Sequence, residues 1–228
     1  SATRAETEAA EFFARVDEGE WSARTSNGFP RATYPIFKLM WYKRRAPLIY
    51  RDAVCFLGSK DYINYRLTGV KATDPSYASG SGAFDLEKGG YIPEYFEAAG
   101  IDRSKMPRIV PSGEALGRVT GDMARRLGIS DQAVVIAGAV DNACMALGAR
   151  CYREGDSYLS LGTSSWIAAA CRHPVIDRQS KPYTFAHCLP GVHVSATCIF
   201  AAGTALRWLR DTLGGGLSYD DLTREAAL

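Results

Sequence analysis

The 228-residue sequence is short of several things, and each shortage closes off a class of function. It has little net charge: 27 Lys and Arg oppose 25 Asp and Glu, which leaves +2. Nucleic-acid binders carry a basic stripe or patch. The densest cluster here, "KRR" at Lys43 to Arg45, reads as a solvated helix end, so no nucleic-acid partner is expected. Long hydrophobic runs are missing too. The longest, "VVIAGAV" at Val134 to Val140, has seven residues, where a bilayer span needs roughly 20, so no membrane partner is expected either. The opening "SATRAETEAAEFFARVDEGEW" is mixed in charge and amphipathic, unlike a signal or transit peptide.

Cysteine pairing is absent as well. Cys55, Cys144, Cys151, Cys171, Cys188 and Cys198 are scattered with no CxxC. They read as reduced thiols of a cytoplasmic protein, not as a disulfide frame or zinc site. His173, His187 and His193 stand at no ligand spacing from them and read as ordinary surface or strand residues, so no protein metal centre is expected. There is no GxxxxGK[ST], no HExxH and no GxGxxG. The "SGSGA" at Ser81 lacks the strand and helix that a nucleophile elbow requires.

What remains is an ordinary globular composition, 46% hydrophobic and 23% charged. Periodicity predicts a helix over 3–17, a loop through "SARTSNGFPRATYP", and a helix at "IFKLMWYKRR". "AVCFLG" reads as a strand. "SKDYINYRLTG" reads as a helix capped by Ser59, stopped by Gly69, with Tyr62, Ile63, Tyr65 and Leu67 as apolar contacts. "ATDPSYASGSGAFD" is loop-like, "IPEYFEAAG" a helix, and "GEALGRVTGDMARRLGIS" a strand, turn and helix. "QAVVIAGAV" reads as a buried strand running into "DNACMALGARC", a helix of small residues. Beyond Gly155 come a hairpin joined at "GTSS", a strand "GVHVSATCIF" and a helix "AAGTALRWLRDTL" with Leu206, Leu209 and Leu213 on one side. The change from helix-rich to strand-paired texture predicts a domain boundary near Tyr152 to Gly155. Helical texture at both ends predicts a piece of a longer protein.

Two places can carry chemistry. Asp141 follows an apolar strand and opens a helix, which delivers a carboxylate to the carboxyl edge of a sheet, where α/β folds place ligands. The helix dipole favours its ionised form, which can accept a proton from a substrate hydroxyl. Asn142 beside it can donate and accept. The competing reading is a plain N-cap aspartate. In "LSLGTSSW", Gly162 allows close approach of a ligand, and Thr163, Ser164 and Ser165 offer hydroxyls and N–H groups that can hold phosphate oxygens. A plain turn is the competing reading.

The order of these stretches resembles that of the FGGY carbohydrate kinases, a family that includes xylulokinase, gluconokinase and glycerol kinase. "VVIAGAVDNACMALGARCYREGDSYLSLGTSSWIA" is similar to the family's Gly-x-x-Asp-[Asn/Gln] pair, small-residue helix and Gly-Thr-[Ser/Gly] turn. "YPIFKLMWYK", "SKDYINYRLTGVKATDPSYASGSGAFD" and "AAGTALRWLRD" resemble further family stretches in the same order. The resemblance implies an α/β, actin-like ATPase (ribonuclease H-like) fold of two domains, both incomplete here. Residues 1–152 would be the C-terminal part of the sugar-binding domain and 153–228 the start of the nucleotide-binding domain. It implies ATP-dependent phosphorylation of a small sugar or polyol, with ATP and Mg²⁺ taking part and a homodimer admitted.

Residue by residue, the resemblance makes Asp141 the general base and Asn142 a substrate ligand, with Thr33 and Tyr34 on a substrate-side loop. It places Gly162, Thr163, Ser164, Gly203 and Arg207 at the nucleotide. Lys38, Trp41 and Asp74 read as structural. The stretch "DYINYRLTG…DPSYAS" tilts the substrate toward a ketopentose such as xylulose. The family's Asp-x-Gly-Thr hairpin and later Gly-Gly-Gly adenosine motif are not found, since "GGG" at Gly214 comes too early. The chain on its own is therefore expected to be inactive. A non-catalytic binding module on the same fold is the alternative, and a hydrolase using Ser164 a remote third.

Overall fold

The computed structural model describes residues 4–28, 31–177 and 182–227. The helix predicted over 3–17 is α1 (Glu6–Phe13), and α2 (Glu18–Thr25) lies beyond it, correcting the loop expected from Ser22 onward. The break is at Asp17, whose extended backbone and side chain cap α2 by accepting from Glu20 N at 2.8 Å. One 3-10 turn, Arg31–Thr33, leads to α3 (Pro35–Arg45) and then α4 (Pro47–Asp52). Both helices open on proline, whose fixed φ and missing N–H suit a first turn. The basic cluster is the last turn of α3, where Lys43 donates to Gly100 O and Arg44 pairs with Glu8 and Glu11.

Aromatic packing holds these helices together. Phe12 is fully buried, with ring centres 5.3 Å from Phe37 and 5.7 Å from Tyr95. Trp21 is also fully buried, and its indole N–H donates to Gly82 O at 2.8 Å. Each such ring stabilises the fold by about 1.5–3 kcal/mol through burial alone.

Next come α5 (Ser59–Thr68), β1 (Ala72–Thr73), α6 (Pro75–Ser79), β2 (Phe84–Asp85), β3 (Gly90–Tyr91) and α7 (Pro93–Ala99). They are followed by β4 (Arg108–Ile109), β5 (Ala115–Arg118), α8 (Gly121–Leu127), β6 (Val134–Ile136) and α9 (Asp141–Gly148). β1 pairs in parallel with β4, while β2 with β3 and β5 with β6 are antiparallel.

Several expectations are corrected here. "AVCFLG" is no strand: Phe56 N donates to Lys105 O and its ring stacks on Tyr50, so the apolar residues act singly and form no ladder. "ATDPSYASGSGAFD" is not all loop but contains β1, α6 and β2. The cap of α5 is Gly58, whose backbone is extended, and not Ser59, which is already helical; the position is held to glycine because a Cβ there would lie 2.1 Å from the Tyr77 ring. Gly69 does stop α5, at φ 79, where a Cβ would be strained. Tyr62 and Ile63 are 47% and 56% exposed, and the buried residues of α5 are Asp61 and Asn64. That helix packs against β1, β5 and β6, and Asn64 donates to Ala137 O just past β6, so its polar face turns inward. The strand in "QAVVIAGAV" is only three residues long and is not buried, since Val134 and Ile136 face outward from a two-stranded pair.

The rest is a sheet with helices after it. β7 (Ser157–Leu161), β8 (Ser165–Cys171), β9 (Tyr183–Ala186) and β10 (His193–Ile199) form an antiparallel sheet in the order β7-β8-β10-β9. The hairpin at "GTSS" is as expected: Leu161 pairs with Ser165 across it. Ala146 of α9 packs on Ala168, Ala170, Val194 and Ala196 of one sheet face. α10 (Gly203–Leu213) and α11 (Tyr219–Glu225) follow, and neither buries a residue. Leu206, Leu209 and Leu213 thus stand exposed on α10.

Candidate active site

Asp141 stands at the head of α9, but Val140 occupies the cap position, and Asp141 is the first helical residue. Its side chain is exposed and accepts from Asn142 N at 2.8 Å. The plain-cap reading is therefore corrected, and the other carboxylate oxygen makes no hydrogen bond among the described residues. Of the small residues behind it, Ala143 and Ala146 are fully buried. Cys144 and Gly148 are exposed, and a Cβ on Gly148 would touch nothing within 4 Å.

The segment that delivers Asp141 is tied down from beneath. Ala137 O accepts from Lys60 Nζ at 2.9 Å and from Asn64 Nδ2 at 2.8 Å. Gly138 N donates to Ser112 O, and Val140 N to Ser76 Oγ at 2.9 Å. Tyr158 of β7 lies close by. Burial pushes its phenol above the ordinary value and the Asp141 charge adds to that, while Trp166 Nε1, donating at 3.0 Å, opposes it.

The nucleotide-side residues come together. Gly162, Thr163, Gly203 and Arg207 line one open groove of about 250 Å³, with Leu206 and Tyr219. The turn is closed by Gly162 N donating to Ser164 O at 2.9 Å, so that N–H is engaged within the turn. The head of α10 abuts it: Gly203 N donates to Gly162 O at 3.0 Å, and Thr204 N to Thr163 O at 3.1 Å. A Cβ on Gly203 would sit 2.6 Å from Gly162 O, so only glycine allows this seat. Arg207, one turn along α10, is exposed and makes no ion pair among the described residues. The concavity and its cation suit a polyphosphate. Ser164 is half-buried and does not line the groove, and neither does Asp141.

Thr33 and Tyr34 lie elsewhere, at the start of α3. Tyr34 packs edge-on against Trp21 at 5.5 Å, and its hydroxyl accepts from Gly28 N at 2.8 Å. Burial raises the Tyr34 phenol. A second concavity of about 190 Å³ opens beside it, lined in part by Ser26, Asn27, Gly28 and Tyr183. Trp41 packs against Tyr42 and under Arg4, and Lys38 is exposed. His187 corrects the surface reading: it is buried, its Nδ1 accepts from Leu189 N, and burial lowers its basicity. Tyr158 and Tyr219 escaped the sequence reading because no motif marks them.

Among the described residues, no three His, Cys, Asp or Glu side chains gather to hold a metal ion. A Mg²⁺ bound chiefly through substrate phosphates and water needs only one or two carboxylates. No helix among the described residues is long and apolar enough to cross a membrane.

Residues 1–148 match the family model described as the FGGY family of carbohydrate kinases, N-terminal domain. The xylulose kinase of Lactococcus lactis subsp. lactis is 32% identical over 188 residues, covering 82% of this chain and 37% of that protein. The L-fuculokinase of Salmonella typhi is 35% identical over 142 residues, covering 62% of this chain and 29% of its own. Among solved structures, the xylulose kinase from Rhodospirillum rubrum superposes with a TM-score of 0.84 at 33% identity, over 92% of this chain and 43% of that one. The chain thus spans less than half the length of each of these proteins. It has the α/β, actin-like ATPase architecture of the sugar kinases, and it belongs to the FGGY family of carbohydrate kinases.

Proposed function

We propose that the protein containing this chain transfers the γ-phosphoryl group of ATP to a hydroxyl of a small sugar or polyol, a pentulose such as xylulose in the first instance. The observation that carries this reading is the exposed helix-head carboxylate of Asp141, with the backbone before it fixed from below and only one of its oxygens hydrogen-bonded among the described residues. Asp141 takes the proton of the attacking hydroxyl. The sugar oxygen bonds to the γ-phosphorus, the bond from phosphorus to the bridging oxygen breaks, and ADP leaves. Such transfers need positioning and charge neutralisation more than covalent help. Asn142, beside the base, binds a sugar hydroxyl, and Thr33 and Tyr34 belong to the substrate-side loop. The groove at Gly162, Thr163, Gly203 and Arg207 receives the phosphates of the co-substrate, with Ser164 shaping its turn. Mg²⁺ supplies charge neutralisation at those phosphates.

The sugar-side unit would run over 1–152 and the nucleotide-side unit from 153. The family's N-terminal-domain match ending at residue 148 supports that division. Xylulose kinases among the relatives support the pentulose. The whole reaction is assigned to the full-length protein in the cytoplasm, and this chain alone is expected to turn over no sugar.

The test is Asp141→Asn in the full-length protein, assayed with ATP against a panel of ketoses, aldonates and polyols. Loss of at least about 10³-fold in kcat, with KM for ATP retained, is expected of a lost general base. A loss under about tenfold, roughly 1.4 kcal/mol, removes Asp141 from that role. Nucleotide-dependent stabilisation with no sugar phosphorylated would favour a binding module instead.

A further inference from the structure

Asp74 is fully buried, and it lies under the polypeptide that leads into the candidate base. Its Oδ2 accepts three hydrogen bonds: from Ser76 N at 2.9 Å, Ser76 Oγ at 2.5 Å and Ser112 Oγ at 2.9 Å. Its Oδ1 faces Lys60 Nζ at 3.1 Å, as an ion pair and not an aligned hydrogen bond. Lys60 Nζ also reaches Asp61 Oδ1 at 2.6 Å and Ala137 O at 2.9 Å. A hydroxyl has one proton, and Ser76 gives it to Asp74, so a lone pair of Ser76 Oγ is left to meet Val140 N–H at 2.9 Å. Val140 is the cap residue of α9, immediately before Asp141.

A buried ion pair is weak evidence for stability, since desolvation offsets most of the attraction. Here its bonds converge instead on one short backbone segment: Ala137 O through Lys60, and Val140 N through Ser76. From this we infer that Asp74, Ser76 and Lys60 are positioning residues that set the path of the chain into Asp141. The inference rests on the reading of Asp141 as the base. Asp74 polarises the Ser76 hydroxyl. Ser76 pins the cap N–H. Lys60 bridges Asp74 to the carbonyl three residues upstream. The orientation of the carboxylate at the helix head follows from these anchors, because its own side-chain bond reaches only its neighbour's N–H.

The experiment is a double-mutant cycle in the full-length protein with Ser76→Ala and Asp141→Asn, reading kcat, both KM values and the melting temperature. Ser76→Ala is expected to lower kcat by about 10- to 100-fold, with both KM values within about twofold. In the Asp141→Asn background the same change is expected to cost less than about twofold more, since it acts through a carboxylate no longer there. Ser112→Ala strips a donor from the same Asp74 oxygen but leaves Val140 N–H its acceptor, so it should lower the melting temperature and cost under about threefold in kcat. Should Ser76→Ala fail to fold, Ser76→Cys, of similar size with a weaker acceptor, is read by the same criteria. If Asp141→Asn abolishes turnover while Ser76→Ala leaves kcat within twofold, or if the two losses are additive, the positioning role is overturned and the base assignment stands. If Asp141→Asn retains activity within tenfold, the base assignment itself fails.

Discussion

Gly203 shows how much one side-chain position decides. Its added Cβ would lie 2.6 Å from Gly162 O and 3.3 Å from Gly162 C, both backbone atoms that can move only with the whole turn. Gly203→Ala should therefore separate α10 from the turn, cost about 1–3 kcal/mol of stability, and raise KM for ATP. Melting curves and initial-rate assays of the full-length variant check this, and an unchanged KM for ATP would count against the groove as the phosphate site. Gly148→Ala is the matched control: its Cβ meets nothing within 4 Å, at the end of α9. That change should be neutral or stabilising by up to about 1 kcal/mol.

At the scale of the element, α5 is the most instructive. Its aromatic and aliphatic residues invited a reading as an apolar face, yet it turns Asp61 and Asn64 inward. Periodicity assumes that burial means apolar burial. α5 packs instead against the short strands β1, β5 and β6, and Lys60 and Asn64 satisfy the Ala137 carbonyl just past β6, which only polar side chains can do. The consequence is electrostatic. Burial raises the Asp61 carboxyl, the nearby Asp74 charge pushes the same way, and Lys60 opposes both. A carboxyl raised in the fold holds its proton where the unfolded chain has lost it. Its stabilisation is thus present at low pH and declines as pH rises from the ordinary value of 3.8 through the raised one. Asp61→Asn should remove that decline and keep an acceptor for Lys60. Urea denaturation of the parent and variant from acid to neutral pH checks it, and parallel curves would contradict it.

The helix-head aspartate, the hairpin turn and the helix after "AAG" were all legible, because strand-to-helix and strand-to-strand junctions carry turn and small-residue signals. The short paired strands were not, since a two-residue bridge such as β1 with β4 has no period to detect. Nor was α2, which opens on a single cap residue, Asp17, and runs into a stretch that reads as loop. For the site, the head of α9 and the turn and helix that frame the groove were legible as junctions, although Ser164 does not line the groove. The support beneath the head of α9 was not, because Ser76, held by Asp74, reaches Val140 across 64 positions of sequence.

At the scale of the whole molecule, the two proposed units share a polar seam. Ser79 of α6 donates to Pro75 O and accepts from Ala186 N of β9 at 3.0 Å. Thr184 N donates to Ser26 Oγ at 3.1 Å, and a ring nitrogen of His193 lies 3.1 Å from Leu86 O. Ser79→Ala orphans a buried N–H and should cost about 1–3 kcal/mol. Because the seam joins both units, the far-ultraviolet and near-ultraviolet dichroism midpoints should fall together. If one moved without the other, unfolding would not be a single cooperative step.

The seat of α10 on the turn has a mechanical consequence. Ala202 and Thr204 N–H and the Thr204 hydroxyl all donate to Thr163 O, and Gly203 N–H to Gly162 O, so the helix head and the turn are bolted by four hydrogen bonds. With 11 residues, α10 is a stiff arm about 16 Å long. A load applied at Thr163 does not dissipate in the turn. It is delivered at Leu213, where Gly215 and Gly216, at φ 54 and 92, form the first joint able to absorb it.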